Sequence, residues 1–309
     1  MITSVISPEG QNFINALNNI QSQLNTDQAQ LASGLVVNQP SDAPDELSPI
    51  LQLHAQLSQN QTLQTTLNGS LGTISAAENA LSGSVTLLQN ASSIATQATG
   101  LSETAATRTT LAQSVQGLMQ QMVSNANTTV DGQYIFSGDQ NTTQLYQLDP
   151  TSPTGVDRLA IATNTDVVQG ANGIQIAASL TANTIFDARN PDDTVSQNNV
   201  FAALNGLETA LQNNDLTGIN TAINNLQSAS TYMNDQLAFY GTAQDQINSS
   251  LSSAQTNATQ LQTQLSQLTN ANEATTITHL TQTQTQMQET LDAQARMPTQ
   301  TLFDALLTG

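Results

Sequence analysis

From Ile219 to Leu268 apolar residues recur at alternating steps of three and four. They are Ile219, Ile223, Leu226, Met233, Leu237, Tyr240, Ile247, Leu251, Ala254, Ala258, Leu261, Leu265 and Leu268, interrupted by Ser230 and Gln244. A helix places such positions along one seam, whereas a strand would scatter them over both faces. A continuous helix over this span would be roughly 75 Å long at 1.5 Å per residue, far beyond an ordinary globular helix. The spacing therefore predicts a rod-like helical architecture. Gly218 precedes the seam, and Gly241 inside it marks a bend or a close helix contact. Beyond Leu268 the phase slips. A second seam runs through Ile277, Leu280, Met287 and Leu291, with Gln284 between, and Pro298 should end it.

The N-terminal half repeats this texture. Phe13, Leu17, Ile20, Leu24 and Leu31 share the spacing, with Asp27 as the polar intruder, and Ser33-Gly34 is a helix stop. A longer seam holds Leu67, Leu71, Ile74, Leu81, Val85, Leu88 and Ala95, interrupted by Glu78 and Ser92. Gly100-Leu101-Ser102 breaks the chain, with Ser102 placed to cap a third helix carrying Leu111, Val115, Leu118 and Met122. That helix stops before Asp131-Gly132. Between the halves Gly and Pro signals accumulate. Tyr134-Ile135-Phe136 and Leu159-Ala160-Ile161 are strand candidates, and Val167-Val168 and Ile174-Gln175-Ile176 flank the Asn172-Gly173 hairpin signal.

The fold class expected is thus mainly α: an elongated antiparallel helical bundle or coiled-coil rod with a small β-rich insertion at its distal end. The boundaries expected are an N-terminal helix and turn over 1–45, helical halves over 46–131 and 196–268, a β-rich module over 132–195, and a C-terminal helix over 269–309.

Composition sharpens this. Trp and Cys are absent and aromatic residues make up only 3%, which argues against compact cores of the ordinary kind. Four basic residues (Arg108, Arg158, Arg189 and Arg296) stand against 23 acids, for a net charge of −19. Such a chain is repelled by nucleic acid and anionic membranes, so neither is an expected partner. The N-terminus lacks the basic and apolar blocks of a signal peptide. The charge balance suits an acidic exterior, where a chain with few basic groups repels itself little; a saline habitat or compositional drift is the alternative.

No catalytic constellation is present. His54 and His279 lie in no H-E-x-x-H pattern and read as exposed side chains. Asp187, Asp192 and Asp193 lack calcium-loop spacing and read as a solvated turn. No phosphate-cradling Gly loop or G-x-S-x-G occurs, so no enzyme, cofactor or metal is expected. The stripes over 8–32 and 277–295 show no evident partner within the chain. A single-stripe helix is marginal alone, so these ends are expected to bind neighbouring copies through Phe13, Leu17, Ile20, Leu24, Leu31, Ile277, Leu280, Met287 and Leu291.

Three motifs carry a resemblance. Leu31-Ala32-Ser33-Gly34-Leu35-Val36-Val37-Asn38-Gln39-Pro40-Ser41-Asp42-Ala43-Pro44 resembles the N-terminal signature of the flagellin superfamily, and its Pro-Ser-Asp-x-Pro form is closer to the FlgL-type hook-associated junction proteins than to filament flagellin. Asn127 through Gly138 is similar to the Gly-x-Tyr-Leu/Ile-Phe-Ser/Ala-Gly run where those proteins leave their helical domain. The Gln-rich end from Thr281 to Leu302 is the third match. Departures are Leu35 and Val36, where the family usually has Lys or Arg, and Pro49, which either kinks a helix or opens one.

The resemblance implies a structural subunit of the bacterial flagellum at the hook–filament junction, with filament flagellin as the alternative and a secreted coiled-coil adhesin as a remote one. It further implies self-assembly through the terminal helices and an extracellular location. Partners implied are copies of the chain, a hook-side hook-associated protein, flagellin, the type III export apparatus and an export chaperone.

Overall fold

The computed structural model describes residues 8–100 and 102–296. Seven α-helices are present among them, with six short strands in three separate antiparallel pairs. The chain divides into two compact units: residues 1–58 with 258–309, and residues 59–257. Helices α2 (Leu47–Ala98) and α6 (Leu216–Thr269) each contribute to both.

The second unit holds one continuous apolar core. From α2 it takes Leu67, Ile74, Leu81 and Leu88, as the sequence spacing predicts. From α6 it takes Ile219, Leu226, Met233, Tyr240 and Ile247. At the two polar interruptions of the α6 seam the buried residues are Ala229 and Ala243, one position before Ser230 and Gln244. The stripe steps aside by one residue instead of burying a polar group, which would need a hydrogen-bond partner. Helix α6 runs through Gly241 without interruption, and a Cβ there would meet the Glu78 carboxylate of α2 at 4.0 Å.

Helix α3 (Ala105–Ala126) starts at the cap Thr104, whose hydroxyl accepts from Thr107 N, and not at Ser102. It packs on α5 (Val200–Gln212), a helix that the spacing argument had merged into the long C-terminal half. Asn199 caps α5 by accepting from Ala202 N, and left-handed Asn214 (φ +53°) separates α5 from α6.

The first hairpin joins β1 (Thr129–Val130) to β2 (Gln133–Tyr134) across Asp131-Gly132, both at positive φ as its tight turn requires. Ile135 and Phe136 thus leave the strand expected for them. Strands β3 (Tyr146–Leu148) and β4 (Val156–Arg158) pair next, so the expected strand at Leu159-Ala160-Ile161 is displaced toward the N-terminus. Strands β5 (Val167–Gln169) and β6 (Gln175–Ala177) form the hairpin signalled by Asn172-Gly173, with Val168 opposite Ile176. The single-turn helix α4 (Ala182–Ile185) follows.

The few aromatic side chains are concentrated here. Tyr146, Phe201, Phe186, Phe136, Tyr240 and Phe239 form an unbroken chain of ring contacts with centroids 4.9–6.4 Å apart. The low aromatic content therefore does not preclude a compact core: six of the ten rings are in one place.

Three of the four arginines are also spent in this unit. Buried Arg108 donates to the Ala98 carbonyl at the end of α2 (2.9 Å) and to Asn214 (2.7 Å), where a cation meets the negative end of the helix dipole. Arg158 and Arg189 both bind Asp187, at 3.3 and 3.2 Å, and reach Asp193 as well. Asp187 is 1% exposed and also accepts from Asn199 at 2.6 Å, so the solvated turn expected at 187–193 is right only for Asp192 and Asp193. Burial, and then the charge of Asp187, pushes the phenol of Tyr146 far up.

Candidate assembly face

In the first unit α1 (Pro8–Ser33) packs along α7 (Glu273–Ala295). This corrects the expectation that the terminal stripes lack a partner within the chain. The pair is antiparallel: Asp27 meets Thr283, whereas Phe13 and Ile20 share a groove with Gln286, Glu289, Thr290 and Ala293.

Two turns close the pair at one end. Gly34 adopts φ +70° and its N–H returns to the Gln30 carbonyl at 2.8 Å, terminating α1 as the Ser33-Gly34 signal predicts. Val36 N then donates to Thr269 O (2.7 Å) and Ala271 N to Gly34 O (2.9 Å), forming a bridge between Leu35 and Asn270. The phase slip after Leu268 is this turn: α6 ends at Thr269 and Asn272 caps α7, accepting from Thr275 N. Asp42 stabilises the loop before α2 by accepting from Asn38 N and Gln39 N at 2.9 and 2.8 Å. Pro49 lies in the first turn of α2, where its missing N–H costs no helical bond.

Phe13, Leu17, Ile20 and Leu24 lie half-buried along α1. The seam continues through Asp27 and Gln30, and Leu31 is exposed. On α7 the facing row is Thr276, Leu280, Thr283, Met287 and Thr290. Leu280 and Met287 of the expected set belong to it, whereas Ile277 (50% exposed) and Leu291 (46%) stand beside it. Sequence reasoning missed the threonines because it scored them as polar. Thr276 and Thr290 donate to the carbonyls of Asn272 and Gln286 four residues back. With its hydroxyl so occupied, a threonine presents a methyl and behaves as a small apolar residue. His54 and His279 are exposed.

The pair is thus a shallow seam flanked by uncovered apolar side chains: Ile14, Leu31, Ile277 and Leu291, with Leu35 and Val36 at the turn. Such an arrangement leaves contiguous apolar surface uncovered in the single chain.

Residues 9–141 match the family described as the bacterial flagellin N-terminal helical region. Flagellar hook-associated protein 3 of Escherichia coli K12 is 30% identical over 174 residues, covering 54% of this chain and 53% of that protein. The match thus spans about half the length of that curated relative. The fold is shared with a flagellar hook-associated protein structure from Vibrio parahaemolyticus (TM-score 0.65, 17% identity, 74% of this chain and 100% of that one). It is shared also with Xanthomonas campestris FlgL (0.57, 16%, 70% and 99%) and the Legionella pneumophila flagellar junction protein FlgL (0.56, 14%, 73% and 99%).

Proposed function

We propose that this chain is a structural, non-enzymatic subunit of the bacterial flagellum that joins hook to filament and assembles with copies of itself through α1 and α7. The observation that carries the reading is the α1–α7 pair: a helix inside the flagellin-like segment lies on the C-terminal helix, with apolar residues left uncovered on both. Neighbouring copies would cover Ile14, Leu31, Ile277 and Leu291, with a hook-side protein and flagellin above and below in the stack. The shallow seam also suits export, because a weakly buried pair opens at low cost to thread a narrow channel and re-forms outside. The export apparatus, a chaperone and the extracellular location belong to the same proposal. Among the described residues no helix is long and apolar enough to cross a membrane.

Replacing the native gene by Leu17→Asp or Leu280→Asp tests the reading. A charge in the seam must be desolvated when helices pack, which is costly without a partner. Non-motile cells that shed filaments, with a purified variant whose second unit keeps its helices by circular dichroism, are expected. Motile cells would overturn the proposal. An epitope placed in the exposed Asp192-Asp193 turn separates the filament-flagellin alternative: a single band at the filament base supports the junction role, and label along the filament rejects it.

A further inference from the structure

Asparagine followed by glycine occurs three times in the chain, at Asn68-Gly69, Asn172-Gly173 and Asn205-Gly206. Glycine has no Cβ to hinder attack of its backbone nitrogen on the preceding side-chain amide. Exposure does not separate the three pairs, since Asn68, Gly69, Asn172, Gly173 and Gly206 are all exposed. The backbone does. Asn68-Gly69 lies inside α2 and Asn205-Gly206 inside α5. Their side-chain amides are tied down, Asn68 Nδ2 donating to the Gln64 carbonyl at 2.8 Å and Asn205 Nδ2 to the Pro153 carbonyl at 2.9 Å. A helix also holds each glycine N–H against the carbonyl four residues back. Bringing that nitrogen onto the amide carbon would unwind the helix beside fully buried Leu67, or beside fully buried Leu204 and Leu207.

Asn172-Gly173 sits instead in the loop between β5 and β6. Gly173 takes φ +75°, and its N–H closes a turn onto the Gly170 carbonyl at 3.0 Å. Opening that one bond frees the nitrogen. The bonds on either side, Gly170 N to Ile174 O (2.7 Å) and Ala171 N to Ser250 Oγ (2.6 Å), can stay in place. The motion is local and leaves the core closed, so it costs far less than unwinding a core helix.

We propose that Asn172 is a site of spontaneous covalent modification, and that the fold protects the other two pairs. The Gly173 nitrogen gives its proton to water and bonds to Asn172 Cγ. The Cγ–Nδ2 bond breaks, and the amide nitrogen takes a proton from water and leaves as ammonia. Water then adds to either carbonyl of the cyclic imide. One opening gives aspartate, and the other gives isoaspartate, in which the chain continues through the side-chain carbons. No oxidant or reductant takes part. Either product adds a carboxylate to the cavity between this loop and α6, which Asp245 also lines. The inference does not depend on the assembly reading.

The test ages the full-length chain in mildly alkaline buffer, native or in concentrated urea, and follows it by peptide mass mapping. In the native chain the mass gain of replacing NH by O should appear at Asn172 at least about tenfold faster than at Asn68 and Asn205, because only Asn172 reacts by local opening. In urea the three pairs should react at similar rates. Asn172→Gln cannot close the same ring, and should remove most of the isoaspartate that an isoaspartyl methyltransferase labels in the aged native protein. Equal native rates at the three pairs, or an intact Asn172 in the aged native chain, would overturn the proposal. So would Asn68 and Asn205 that stay as slow in urea as in the native chain, because the fold would then protect nothing.

Discussion

The two units of this chain use the same helical grammar to opposite ends. In the second unit α2, α3, α5 and α6 close around fully buried Leu67, Ile74, Leu81, Leu88, Leu204 and Leu207, with six aromatic rings in contact and a buried carboxylate held by two arginines. In the first unit the paired helices bury Asp27, Thr276 and Thr283, and leave their larger apolar side chains half-exposed or exposed. Burial of apolar area supplies most folding free energy, at roughly 25 cal/mol per Å², so the second unit gains more from its core than the first gains from its helix pair. The difference lies in what fills the seam positions: leucine and aromatic residues throughout one unit, and on α7 of the other threonine alternating with Leu280 and Met287.

The largest effect that sharpens this contrast is expected from Phe186→Ala. Phe186 is fully buried between Phe136 and Phe201, and its removal should cost roughly 3–5 kcal/mol in denaturant unfolding of the second unit, leaving α1 and α7 exchange unchanged. A loss below about 1 kcal/mol would show that the aromatic cluster is not the keystone, since typical core truncations exceed it. Asp187→Ala comes next. It leaves Arg158 and Arg189 with only the exposed Asp193 and removes one of two acceptors of the Asn199 amide, the cap of α5, at a cost of roughly 3 kcal/mol by the same measurement. A neutral outcome would mean that the arginines find solvent freely and the network adds nothing.

Acid should do much less. Hydrogen bonds from Thr163, Thr151 and Thr194 hold the carboxyls of Asp139, Asp149 and Asp192 below the usual range. Such groups contribute stability that is complete above their ordinary pKa and is lost as pH falls through the lowered folded value. Burial pushes Asp166 and Glu208 up, which has the opposite sign: the fold prefers their neutral form, so stability rises as pH falls into the acid range. All five lie in the second unit, and with opposed signs its melting temperature should move by less than about 5 °C between neutral pH and about pH 3. A much larger drop would reject the expectation that this charge balance suits an acidic exterior. The smallest effect is expected at Leu31→Ser and Ile277→Ser, within about 0.5 kcal/mol on the free monomer, because both are exposed. Greater destabilisation would mean that these flanks are already covered in the single chain.

Much of the fold was legible from spacing alone. The α6 seam, the Gly34 stop and the Asn172-Gly173 hairpin follow from local chemistry: 3.6-residue periodicity, a left-handed cap, a tight turn. The α7 seam was half legible. Leu280 and Met287 were found, but Ile277 and Leu291 were taken for the seam because threonine reads as polar until its hydroxyl is known to be bonded to its own helix. Helix α5 was obscured because its apolar positions run close to those of α6, and only the Asn199 cap and the left-handed Asn214 divide them.

By itself the sequence determined the long helical seams, the turn that stops α1 and that the charge is almost entirely negative, since each depends on residues near one another in the chain. Only the tertiary structure decided what those helices face. It paired α1 with α7, set the intruding Asp27 against Thr283 from 256 positions away, and turned scarce arginines inward to Ala98 and Asp187. A stripe records that a face is buried; the partner depends on shape and hydrogen-bond complementarity between segments far apart in the chain, and no periodicity encodes that.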